Sequence, residues 1–95
     1  MISAEDCIAL SGLTHDEIAA IAEHEHVPEV AAAALARYLL RKGNGAEDIR
    51  DMIVDDIRAA LKDGRIEHAG ELFSALRHFL EQNPDARAGF AGSRS

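Results

Sequence analysis

The stretch Leu13-Thr-His-Asp-Glu-Ile-Ala-Ala-Ile-Ala-Glu-His-Glu-His-Val-Pro28 decides the fold class. Thr14 stands three residues before Glu17, the spacing of a capping box. The Thr14 hydroxyl accepts from the Glu17 amide, and the Glu17 carboxylate reaches back to the Thr14 amide. Leu13 and Ile18 occupy the two positions of a hydrophobic staple across the same turn. Ile18, Ile21 and Ala22 then recur at helical spacing, until Pro28 forbids continuation and suits the first turn of a new helix. A helix from about Thr14 to Glu25 follows, with another opening at Pro28.

Working outward, Ser3 can cap a short first helix that runs to Leu10 and ends at Ser11-Gly12. The third helix, Pro28 to about Arg41, includes Val30 to Ala36, which is apolar on every side and reads as a buried central helix. Gly43 is expected to close it in a left-handed conformation. Asn44 and Glu47 form a second start resembling a capping box, so a fourth helix runs from Ala46 to Lys62 and stops at Asp63-Gly64. A fifth covers Ile66 to Gln82, closed by Asn83-Pro84. No segment alternates apolar and polar residues as a strand would. The expectation is an all-α bundle of four main helices plus the short N-terminal one. It forms a single domain over residues 1–84, with residues 85–95 as a flexible tail that Phe90 can dock locally.

Charge is unevenly shared. The first thirty residues hold seven acids (Glu5, Asp6, Asp16, Glu17, Glu23, Glu25, Glu29) and no lysine or arginine. The other ten acids balance ten bases, so the formal net charge of −7 belongs to the first third. Such a surface repels phosphate backbones. Its natural counterparts are a basic protein surface or a divalent cation. The single cysteine, Cys7, excludes an internal disulfide. No basic segment leads into an apolar run, and the stretch Val30–Leu40 is too short to span a bilayer. A cytoplasmic protein without membrane or nucleic-acid contacts is the expectation. The small core and the alanine-rich third helix suggest a homodimer.

The second and third helices resemble a helix-turn-helix in length and apolar rhythm. A recognition helix reads bases with polar and basic side chains, whereas this one opens on Glu29, Val30 and alanines, with its first base at Arg37. Glu23 and His26 form one Glu-x-x-His, the element that ferritin-like iron proteins use twice.

Helical-wheel positions single out a few polar residues. Asp56 lies inside the apolar stripe Ile49, Met52, Ile53, Ile57, Ala60, Leu61, and a carboxylate aimed at a core needs a partner. Glu25 continues the stripe Ile18, Ile21, Ala22. His68 borders the face of Leu72, Ala75 and Phe79. A metal site for iron, manganese or zinc would draw on Glu23, Glu25, His26, Asp56 and His68. A docking surface for a basic partner would draw on Asp16, Glu17, Glu23, His24 and Glu29. Glu67, Glu71, Ser74 and His78 read as a solvated face, and Cys7 as a buried thiol. No phosphate loop, nucleophile elbow or Cys-x-x-Cys is present. The leading expectation is therefore a non-enzymatic interaction protein presenting its acidic third.

Overall fold

The protein is described by a computed structural model covering residues 4–86, without the side chains of residues 4, 5, 7 and 8. Five helices follow one another: α1 (Ala4–Ser11), α2 (His15–Glu25), α3 (Glu29–Leu40), α4 (Gly45–Lys62) and α5 (Ile66–Gln82). Residues 84–86 add a further helical turn, and no strand occurs among the described residues. None of the described helices is long and apolar enough to cross a membrane.

The helix ends show why the chain breaks where it does. At α2 the capping box is complete: Thr14 Oγ1 accepts from the Glu17 amide at 3.2 Å, and Glu17 Oε1 accepts from the Thr14 amide at 2.8 Å. Both bonds satisfy amides that a helix start otherwise leaves orphaned. The other end of α2 is held by His26, which adopts a left-handed conformation (φ 59°) before Pro28 caps α3. Helix α4 ends in a Schellman turn. Gly64 sits at φ 77°, the Arg65 amide donates to the Ala60 carbonyl at 2.8 Å, and the Gly64 amide donates to Leu61 at 3.1 Å.

Two ends depart from the sequence reading. Gly43 is not left-handed, because α3 closes through tight right-handed turns, Arg41 to Tyr38 and Lys42 to Leu39. Asn44 caps α4 by position only, without a side-chain capping bond. The glycine that matters there is Gly45, where a Cβ would collide with the Leu39 carbonyl, so α4 starts tight against the end of α3.

The core joins Ile18 and Ile21 of α2, Ala32, Ala33, Ala36 and Leu39 of α3, Ile49 and Ile53 of α4, and Leu72, Leu76 and Phe79 of α5. Helices α4 and α5 form the most extensively packed pair, with α2 laid against both and against α3, and α1 against α3. Helix α3 is not buried all round. Only its Ala32, Ala33, Ala36, Leu39 stripe is covered, while Val30, Ala31, Ala34 and Tyr38 are exposed. Alanine exposes little apolar surface, so an alanine-rich run carries no strong preference about which face goes inside.

Packing is seen just past the boundary expected at residue 84. Ala86 is fully buried, and Arg50 Nη1 donates to its carbonyl at 2.8 Å. The packed domain therefore reaches at least to Ala86. The expectations for the rest of the tail, for Ser3 as a cap and for the Cys7 side chain lie outside what the structure describes.

Candidate functional site

Helix α2 carries most of the polar residues that the sequence singled out, and its register sorts them onto different sides. Its inward arc is Glu17, Ile18, Ala20 and Ile21. Glu17, expected on a docking surface, is instead 1% exposed. Its Oε1 serves the capping box, and its Oε2 lies 2.7 Å from His78 Nδ1 on α5. The burial was legible, because Glu17 stands three and four residues before Ala20 and Ile21. The pairing with His78, expected to be merely solvated, crosses between helices and had no local signal. The bond from Glu17 raises the His78 pKa above the ordinary 6.5.

Glu25 goes the other way. It is the last residue of α2, where the apolar stripe has run past the packed surface, and its carboxylate lies on the outside beside His24 at 3.0 Å. His26, committed to the left-handed cap, is exposed too. Glu29 pairs with His15 at 3.1 Å across the α2–α3 junction.

Asp56 is buried at 8% exposure, as its wheel position requires, and its Oδ2 has no hydrogen-bond partner. Burial and the charge of Glu23 push its pKa up to about 6, partly offset by His24. His24 bridges outward to Glu25 and, at 3.6 Å, to Asp55 Oδ2. Burial pulls the His24 pKa down, but the bond to Glu25 and the charge of Asp56 outweigh it, and the net shift is upward. His68 Nε2 lies 2.7 Å from Glu23 Oε1, and its Nδ1 lies 3.3 Å from Glu71 Oε1; the Glu23 bond raises its pKa.

Glu23, His24, Asp56 and His68 are therefore neighbours; Glu25 joins them only through its bond to His24 on the outer side, and His26 is exposed in the helix cap. The imidazoles are spent in pairs, each ring nitrogen facing its own carboxylate. Among the described residues, no three His, Cys, Asp or Glu side chains group so that they could hold a metal ion.

The arrangement does form a cleft. Between α2 and α5 lies a cavity of about 390 Å³ lined by Asp16, Ala19, Ala20, Glu23, His68, Glu71, Leu72 and Ser74. Ala20 and Leu72 are buried and form an apolar floor. Asp16, Glu23 and Glu71 place three carboxylates around it, and His68 spans two of them. Asp16 and Glu23 were expected on a partner surface; Glu71 and Ser74 were not, because nothing in the sequence says that α2 packs beside that flank of α5. No protein-family model, curated protein or solved structure matches the chain.

Proposed function

We propose that this chain is a non-enzymatic, cytoplasmic interaction protein that docks a basic segment of a partner protein in the α2–α5 cleft. The observation that carries the reading is the cleft's construction, three carboxylates over an apolar floor. A lysine or arginine side chain has the matching chemistry. Its aliphatic stem lies along Ala20 and Leu72, and its charged head sits among Asp16, Glu23 and Glu71. The excess of acid in the first third adds a field that draws cations toward the same side. The single cysteine supports the compartment.

His68 sets the condition for docking. Neutral, it leaves Glu23 and Glu71 to the ligand. Protonated, it neutralises part of the charge that the ligand needs. Because its pKa is raised above 6.5 by the bond to Glu23, docking strengthens as pH climbs through that raised value.

The test is binding of a fluorescent peptide of alternating lysine and alanine, followed by anisotropy. Affinity is expected to fall steeply between ~0.05 and ~0.5 M salt, because exposed charges are screened within ~10 Å at 0.1 M. The double variant Glu23→Gln, Glu71→Gln is expected to lose about tenfold or more, equivalent to ~1.4 kcal/mol. Binding indifferent to both changes would refute the reading.

A further inference from the structure

The two ends of α2 are held differently. Its start is pinned by the capping box, by Glu17 on His78 and by the fully buried Ile18 and Ile21. Past Ile21 no residue of this helix is buried. Ala22 and His24 are half-buried, while Glu23, Glu25 and the capping His26 are exposed. The amides of His26 and Val27 both donate to the Ala22 carbonyl, which closes the turn. His26 (φ 59°) is the only residue other than glycine with a positive φ among the described residues. An L side chain adopts this conformation at a cost, and it persists where the surroundings hold it.

What holds this end is charge. Glu23 lies 2.7 Å from His68 on α5, and His24 lies 3.6 Å from Asp55 on α4. The buried Asp56 faces the same cluster: Glu23 and His24 from α2, His68 from α5, and its neighbour Asp55 on α4. Its Oδ2 has no hydrogen-bond partner, so a charge there has no local compensation. Glu25 also stands beside His24, and Glu71 and Arg65 beside His68; Arg58 lies 4.0 Å from Asp55.

We propose that the last turn of α2, Glu23 to His26, is a proton-operated latch, shut on the α4–α5 hairpin in acid and released as pH rises, with His26 and Val27 as its hinge. In acid, imidazolium ions at His24 and His68 tie the turn to both helices of the hairpin while Asp56 is neutral. As pH rises, both rings lose their charge and Asp56 gains one. Glu23, Glu25, Asp55, Asp56 and Glu71 are then charged together, with Arg58 and Arg65 to offset them, and like charges in a half-dry junction repel. Swinging the turn aside lets water reach Asp56, separates it from Glu23 and relieves the left-handed residue.

The titrations act in one direction. Burial pushes the Asp56 carboxyl up to about 6, so its ionisation costs the closed state stability as pH rises through that value. His24 and His68 are raised above 6.5, so their contribution to the closed state is lost as pH climbs through the raised values. The start of α2 keeps its capping box throughout, so the opening is confined to the end of the helix. The latch does not depend on what the cleft binds.

Hydrogen exchange of the full chain, read by NMR as protection factors at about pH 5 and about pH 8, tests this. Protection of the amides from Glu23 to Val27 is expected to fall by about tenfold or more between the two, and to stay below that of Leu76 and Phe79 at both. Asp56→Asn is expected to cut the fall to a few-fold, and His24→Gln to cut it by a smaller share. Protection of the turn that does not change with pH would overturn the proposal. So would a fall that both variants leave intact. Protection equal to that of Leu76 and Phe79 at both pH values would also overturn it, since the turn would then leave only when the whole domain unfolds.

Discussion

Two carboxylates lie buried among the described residues, Glu17 at the start of α2 and Asp56 in the middle of α4, and they are held in opposite ways. Glu17 has both oxygens engaged, one by the Thr14 amide and one by His78. Asp56 keeps an unpartnered Oδ2, and burial drives its pKa to about 6. The difference comes from position. A helix start offers orphan amides that welcome a carboxylate, and the positive end of the helix dipole favours the charge further. The middle of a helix offers none, since its amides are already bonded within the helix. Burial alone thus says little about whether an acid stabilises a fold. What it is bonded to decides the sign.

The comparison breaks most visibly at Glu17. Replacing it with alanine removes a reciprocal cap and a bond to an imidazole together, an expected cost of about 3 kcal/mol. For a domain of this size that is a fall of roughly 12–20 °C in melting temperature, read by circular dichroism. A fall of only one or two degrees would mean that Glu17 is solvated and that the two acids do not differ.

Asp56→Asn is expected to act in the opposite direction. The folded pKa near 6 against an ordinary 3.8 means that the unfolded chain releases this proton first. Stability is therefore lost as pH rises from about 4 to 6, by up to about 3 kcal/mol in the ionised state. The variant escapes that cost, so a gain of about 1–2 kcal/mol is expected at pH 7.5 and none at pH 3.5. Denaturant titrations at the two pH values measure it. A loss at pH 7.5 would show that Asp56 has a partner after all, and its contrast with Glu17 would disappear.

Much of this architecture was legible. The capping box at Thr14, the stop before Pro28 and the turn at Gly64 each follow from a local rule, because cap geometry depends on residues within one turn. Asp56 was legible too, as it falls between Ile53 and Ala60 on one stripe. Two kinds of statement were not. Alanine exposes too little surface to say which side of α3 is covered, so the run at Val30–Ala36 was misread as central. Contacts between helices also leave no trace in local spacing. Glu17–His78 and Glu23–His68 are separated by 61 and 45 residues, and the α2–α5 cleft exists only because those helices lie side by side. Of the residues weighed for a metal site, His68 faces Glu23 and Glu71 while His26 is exposed in its left-handed cap, and among the described residues no three such side chains group so that they could hold a metal ion.

The smallest expected effect belongs to these histidine pairs. His24, His68 and His78 all have pKa values raised above 6.5. A histidine raised in the folded state adds stability that is complete below 6.5 and lost as pH climbs through the raised value. Because the pairs are largely exposed, His24 and His68 contribute under about 0.5 kcal/mol each. Melting temperature is expected to decline gently from pH 6.5 to 8.5, and His68→Gln to flatten part of that decline. A melting temperature that rises over this range would contradict the pairings.

The central claim is that the acidic cleft between α2 and α5 is where this protein meets a basic partner. It is tested most directly by NMR titration of the labelled chain with the lysine–alanine peptide at pH 7.5 and low salt. The expected result is that amide shifts concentrate at Asp16, Ala19, Ala20, Glu23, His68, Glu71 and Ser74. Shifts confined to α1, to the outer face of α3 or to Leu61, Ile66 and Phe73, or no shifts at millimolar peptide, would contradict it.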